Sequence, residues 1–440
     1  MSKQICSVKR KLSEAVEQLC KVSWMFIKNP ERDFTRQRKL SFRDTVSFLL
    51  CAEGGSLTKE LLRFFGCRSD TATSSALIQQ RNKIDPAAFS SLFDLFVSKT
   101  DKERLYKGFR LFAADGTDIQ IPTNSDDAAS YYPGAKGQAP YNILHLDAVY
   151  DLLCHTYQDA ILSGDRLTNE VRSLCRMVDR SPIQQAIVLA DRGYESYNLM
   201  AHIQEKGWKF LIRIREKKGM ASGFELPDTA EFDRPVYLSI TKQQTKAAKE
   251  LCKDKNHYRF VPATLVFDYL PQSLPKYSEL LFYRLSFRIV RFLIAENTYE
   301  TIVTNLPQES FPPQELKRLY ALRWGIETAF RELKYTIGLL HFHAKKVEYI
   351  YQEIFARLIM YNFTEQITSS VILRKESSKF AYRANFSVAV HVCRQFLLGN
   401  VSPPQVEALI QRNVSPIRPG RSSPRNLHGK PVVSFLYRIA

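Results

Sequence analysis

At 440 residues the chain exceeds what one ordinary core accommodates, so two to four structural units are expected. Its hydrophobic content of 45% and aromatic content of 12% exclude a disordered chain. Lysine and arginine number 63 against 45 acids, a net charge of +18 that points to a polyanionic partner, nucleic acid first.

Residues 1–105 read as helices, with apolar residues at helical spacing in 11–27, 42–52, 57–66, 72–83 and 86–98. Thr58, Ser69 and Asp85 sit where helix starts are expected, and Pro86 suits a first turn. Basic joints such as Phe34-Thr-Arg-Gln-Arg-Lys-Leu40 suit a DNA-binding helical domain, and a plain helical bundle equally. From about 106 the pattern changes. Phe109–Pro122 predicts a strand, a turn and a second short strand, and Asn142–Asp151 and Cys154–Leu162 predict two more. A helix over Thr168–Asp179 follows, then the wholly apolar Ile187-Val-Leu-Ala190, which suits a central strand covered on both faces. A helix over Glu195–Lys206 and a strand over Trp208–Ile214 complete a mixed α/β sheet, the first part of a core spanning 106–215.

Residues 216–300 are rich in β-branched and aromatic side chains and predict a β-rich insertion. The core resumes over 301–373, where Pro312 and Pro313 open a long helix through about Ile337. The region 374–440 carries eleven Lys or Arg against two acids, and its end, rich in Pro, Ser and Arg, predicts a flexible basic tail. Eight scattered cysteines without a C-x-x-C pair suit free thiols in a reducing compartment. With no apolar run of about 20 residues to span a bilayer and no signal-peptide core, the expected location is cytoplasmic, at the nucleoid, without membrane contact.

Three acids stand out. In Tyr320-Ala-Leu-Arg-Trp-Gly-Ile-Glu-Thr-Ala-Phe-Arg-Glu-Leu-Lys334, helical geometry gathers Tyr320, Arg323, Glu327, Arg331 and Lys334 within roughly an 80° arc. Leu319, Leu322, Ile326, Phe330 and Leu333 form an adjoining apolar arc that anchors the helix. One acid among cations suits a metal ligand flanked by phosphate-binding groups; the alternative is a solvated Arg–Glu–Arg ladder. Asp115 ends an apolar strand before Gly116, and Asp191 ends another before Arg192-Gly193. Either Asp is also able to cap a turn. Asp118 competes with Asp115, but alternation puts it on the face opposite Leu111 and Ala113. Together Asp115, Asp191 and Glu327 supply the ligands of a two-metal site for in-line phosphoryl displacement. Asp165 and Glu170 are expected to serve a turn and a helix start, and His341 and His343 packing or phosphate contact.

The spacing Tyr320, Arg323, Glu327, Lys334 resembles the Y-R-E-K signature of insertion-sequence-4 family DDE transposases. Asp115-Gly-Thr resembles that family's first catalytic motif and Asp191-Arg-Gly-Tyr194 its second. Phe34–Phe42, Thr304-Asn-Leu-Pro307 and Gly338–Lys345 are also similar, so the likeness runs from about residue 34 to 365. The resemblance implies an RNase H-like catalytic fold interrupted by the β-rich insertion. It implies that two Mg²⁺ ions, with Mn²⁺ able to substitute, are held by Asp115, Asp191 and Glu327. It also implies that Tyr320, Arg323 and Lys334 grip the DNA end; Arg331, on the same helical face, and the basic Arg192 and Lys345 are further expected DNA contacts. The implied partners are double-stranded terminal inverted repeats and target DNA, bound by a homodimer. Some family members stack a flipped base on an insertion tryptophan, but Trp24, Trp208 and Trp324 all lie outside 216–300; any flipped base would stack on a Tyr or Phe, and that role stays unassigned. Two rivals remain: an RNase H-like nuclease without strand transfer, and a transposase-derived DNA-binding protein.

Overall fold

The computed structural model describes residues 2–135, 137–215, 219–262, 264–271, 279–371 and 381–417. Helices open the chain: α1 (Ser2–Lys21), α2 (Phe42–Cys51), α3 (Leu57–Phe64), α4 (Ser74–Arg81) and α5 (Ala87–Thr100). Local chemistry sets several of their starts. Ser41 and Asp44 close a capping box on α2, and the Thr73 hydroxyl accepts the Ala76 N–H at the head of α4. Thr58 and Ser69 do not begin helices, whereas the Asp85 carboxylate accepts the Ala87 N–H at 2.8 Å, as its position suggests.

The sheet follows as β1 (Arg110–Ile121), β2 (Tyr131–Tyr132), β3 (Tyr141–Asp151) and β4 (Thr156–Gly164), then α6 (Glu170–Arg180), β5 (Ala186–Ala190), α7 (Tyr197–Glu205) and β6 (Lys209–Arg213). β4, β3 and β1 form an antiparallel meander, while β5 and β6 add on parallel to β1. The spatial order β4-β3-β1-β5-β6 is the RNase H-like arrangement. β1 runs unbroken where the sequence predicts two strands around a turn. Its pairing with β3 continues from Phe112↔Asp151 to Ile121↔Asn142, so Asp115-Gly116-Thr117 lies within a ladder and not in a turn.

The segment expected as an insertion supplies β7 (Phe232–Thr241), α8 (Lys246–Leu251), β8 (Tyr258–Phe260) and β9 (Tyr283–Ala295) before β10 (Thr298–Thr304). These strands extend the same sheet. β10 pairs antiparallel with β6, then β9, β7 and β8 follow outward, giving ten strands among the described residues.

α9 (Pro313–Leu322) and α10 (Trp324–Glu332) replace the single expected helix, and a π-helical turn over Leu333–Ile337 ends the run. The hitch lies at Arg323. Its N–H donates to Tyr320 O and its carbonyl accepts from Ile326 N–H, both three-residue bonds that rotate the helix out of 3.6-residue phase. Leu322 is therefore 44% exposed, although Leu319, Ile326, Phe330 and Leu333 are buried as the apolar arc requires. α11 (Val347–Thr368) is apolar around most of its surface and runs through the interior. The hairpin strands β11 (Tyr382–Ala384) and β12 (Val414–Pro416) flank α12 (Phe386–Leu398) and α13 (Pro403–Arg412). The basic region from 374 thus contains ordered helices, while 374–380 and 418–440 lie outside the described residues.

One apolar cluster joins α1, α2, α5, α11 and α12 to the sheet face bearing Leu111, Ala113, Ile187 and Leu189. The opposite face, with Phe112, Ala114, Val188 and Phe210, packs against α6, α7 and the outer strands. The N-terminal helices therefore share a core with the sheet. A buried network reinforces the junction: Arg81 Nη1 donates to Glu353 at 2.9 Å and Nη2 to Tyr349 O at 2.8 Å.

Candidate active site

β1 and β5 stay in parallel register through Ala113↔Leu189. Two residues further along each chain stand Asp115 and Asp191. Strand neighbours lie about 4.8 Å apart and side chains alternate, so both acids continue the row of Leu111, Ala113, Ile187 and Leu189 and face α10. Asp191 remains extended (φ −82°, ψ −176°) and its Oδ1 accepts the Gly193 N–H at 2.7 Å, leaving the other oxygen free of that turn. Asp115 Oδ1 accepts the Gly116 N–H at 3.0 Å.

Glu327 comes from the first turn of α10, and Arg323, at the hitch, joins it to the sheet. Arg323 Nη2 donates to Glu327 Oε1 at 2.7 Å while Nη1 lies 3.7 Å from Asp115 Oδ2. Burial pushes the Asp115 carboxyl up to about 6; Asp191 and Glu327 add to the rise and Arg323 opposes it. The three acids thus share one electrostatic neighbourhood. Such crowding of carboxylates in a partly buried place fits a site that takes further positive charge.

Tyr320 and Arg323 are 4% and 7% exposed, so they line the interior side of the site and do not reach outward as a helical stripe would. The Tyr320 hydroxyl is buried without a hydrogen bond, and burial raises its pKa. Arg331, Arg192 and Lys345 are exposed, whereas Lys334 is partly buried near Asp118, with burial lowering its pKa. Trp324 is 52% exposed with the Arg323 guanidinium 5.3 Å from its ring centroid. His343 is not at the site. Its side chain is enclosed between Glu60 (3.4 Å) and Glu353 (3.7 Å), a packing role.

On the other face of β1 and β3 lies a second cluster that the sequence reading does not foresee. His145 is the cross-strand partner of Asp118, and Asp147 that of Gly116. Glu170 reaches them from the start of α6 and Asp165 from the turn before it. Among the described residues, the sets whose ligating atoms all lie within 4.8 Å of one another are Asp118–His145–Asp165 and His145–Asp147–Glu170; Asp115, Asp191 and Glu327 are not such a set. The overlooked signal is two polar residues at period two, His145 and Asp147, inside the otherwise apolar run 143–149 of β3.

The sheet has an RNase H-like strand order, and Asp115 and Asp191 stand just beyond the parallel pairing of β1 and β5. Residues 106–363 match the transposase DDE domain, and the chain belongs to that family. It is accordingly a DDE transposase, a DNA endonuclease and strand transferase whose chemistry depends on divalent metal. Among solved structures, the piggyBac transposase in a synaptic complex with hairpin DNA aligns over 90% of this chain and 80% of its own, at 10% identity and a TM-score of 0.45. No curated protein matches the chain in sequence. Among the described residues no helix is long and apolar enough to cross a membrane.

Proposed function

We propose that the protein moves an insertion sequence of the insertion-sequence-4 type, cutting DNA at terminal inverted repeats and joining the freed ends to target DNA. The Tyr320–Arg323–Glu327–Lys334 spacing supports that branch of the family. Asp115, Asp191 and Glu327 hold the metal, a pair of Mg²⁺ ions. Bound there, such ions supply Lewis-acid neutralisation of phosphodiester charge and activation of a water or 3′-hydroxyl nucleophile. Arg323 holds Glu327 in place and shields Asp115 from its acidic neighbours. Tyr320 walls the site from inside. Arg331, Arg192 and Lys345, together with the less exposed Lys334, contact DNA phosphates on the approach. A homodimer brings two double-stranded ends together in the cytoplasm, at the nucleoid.

The observation that carries this reading is the parallel register of β1 and β5, which ends at Ala113↔Leu189 with Asp115 and Asp191 each two residues beyond, and Arg323 linking Asp115 to Glu327. The test is incubation with Mg²⁺ and DNA carrying the inverted repeats that flank the gene. Asp115→Ala, Asp191→Ala and Glu327→Ala should each abolish cleavage and spare DNA binding in a gel-shift assay. Full cleavage by any one of them refutes the assignment.

A further inference from the structure

We propose that His145, Asp147 and Glu170 form a second divalent-metal site, on the sheet face opposite Asp115, that takes a first-row transition ion such as Mn²⁺ or Zn²⁺.

Three observations converge on it. The first is the geometry of the ligands. His145 Nε2 lies 3.2 Å from Asp147 Oδ1 and 3.3 Å from Glu170 Oε1. Bonds of about 2.0–2.2 Å from one ion to a nitrogen and two oxygens put ligand atoms at about these separations. The second is Asp147 itself. Its side chain is 1% exposed, and neither carboxylate oxygen has a hydrogen bond. A buried carboxylate without a hydrogen bond is costly, and this one faces His145 Nε2, which also lacks a hydrogen bond. The third is the orientation of the imidazole. His145 Nδ1 is hydrogen-bonded at 2.7 Å to Asp118 Oδ1, which holds the ring with Nε2 turned toward Asp147 and Glu170. A carboxylate behind a histidine is the usual outer support of a metal-bound imidazole.

The donor set selects the ion. One imidazole nitrogen with carboxylate oxygens suits Mn²⁺ or Zn²⁺ better than Mg²⁺, which favours oxygen and water alone. Entry is available, since a cavity of about 550 Å³ is lined by Asp118, His145, Asp165 and Glu170. Gly116 and Gly193 let Glu170 approach. A Cβ at Gly116 would lie 2.8 Å from Glu170 Oε1, and one at Gly193 3.4 Å from Glu170 Oε2. An ion here ties α6 to the backbone immediately behind Asp115 and Asp191.

The test separates this site from the catalytic one by its nitrogen. The probe is Mn²⁺ alone, read by pulsed electron paramagnetic resonance for ¹⁴N coupling, which no ligand among Asp115, Asp191 and Glu327 can give. The unmodified protein and the triple variant Asp115→Asn/Asp191→Asn/Glu327→Gln should both show imidazole coupling to bound Mn²⁺. His145→Gln should lose it, and Asp147→Asn should weaken Mn²⁺ binding at least tenfold. Should His145→Gln fail to fold, Glu170→Gln in the triple variant gives the same readout through a weakened ¹⁴N signal. Absence of ¹⁴N coupling in the folded triple variant at saturating Mn²⁺ overturns the proposal and leaves His145 as the imidazolium counter-ion of its acids.

Discussion

Arg323 and Glu327 are joined by a 2.7 Å hydrogen bond across one helical turn, and the same guanidinium reaches Asp115 at 3.7 Å. Helix and sheet therefore meet through a cation between two acids. In a pocket only partly open to water such a pair is worth more than its exposed counterpart.

Removing that cation should be felt at both acids. Arg323→Ala leaves Glu327 free to change rotamer and removes the group that holds the Asp115 pKa down. DNA cleavage should fall on the order of a hundredfold, the penalty expected for a misplaced catalytic group. The acid limb of the pH–rate profile should also move to higher pH. A profile that keeps its shape and height would show that Arg323 does not organise the acids.

Asp115 should weaken the metal-free fold at neutral pH. Its carboxyl titrates near 6 in the protein against an ordinary value of 3.8. A raised acid costs nothing while both states are protonated, below pH 3.8. The cost grows as pH rises and is complete above about 6. Asp115→Asn should therefore stabilise the metal-free protein by on the order of 2 kcal/mol at pH 7.5, after allowance for partial solvent screening. The gain should vanish near pH 4, as read by urea unfolding in chelator. Divalent metal should favour the unmodified protein instead.

In the buried network beside α11, His343 gives the opposite pH dependence. Burial alone would lower its pKa, but Glu353 and Glu60 outweigh that and lift it to about 9. A raised histidine contributes its full stability below its ordinary 6.5 and loses it as pH rises through about 9. His343→Gln should cost about 3 kcal/mol at pH 6 and much less at pH 9.5, measured by denaturant unfolding. Arg81→Met, which removes one of Glu353's cationic partners and leaves His343 and Arg357, should cost about 1.5–3 kcal/mol.

The three acids proposed as catalytic are legible in the sequence because their signals are local. Asp191 follows a wholly apolar strand, and Glu327 sits on a helix whose spacing is distinctive. The sheet is legible for the same reason, since β5 and β6 read as short apolar runs. What escapes depends on pairing across the chain. Nothing near Gly116 shows that β3 carries β1 straight through it, so the local pattern predicts a turn. The hitch at Arg323 also breaks the 3.6-residue phase on which the wheel rests, which is why Tyr320 and Arg323 turn inward and Leu322 outward. Asp147 and His145 become a cluster only once β1, β3 and α6 are brought together.

Gly116 offers the most direct check on that convergence. Its backbone is ordinary strand, so glycine is not required there by conformation. Space requires it. A Cβ would collide with His145 Nε2 and lie 2.8 Å from Glu170 Oε1 and 2.9 Å from His145 Cε1. Neither neighbour yields easily, because His145 is tied to Asp118 and Glu170 starts a helix capped by Asn169. Gly116→Ala should therefore push α6 away from β1, at a cost of about 1–3 kcal/mol. Because Asp115 precedes it, cleavage should fall more than stability alone explains. The measurement is thermal unfolding alongside cleavage of inverted-repeat DNA at a temperature where the variant is fully folded. An unchanged melting temperature would show that the sheet and α6 are not held at this spacing.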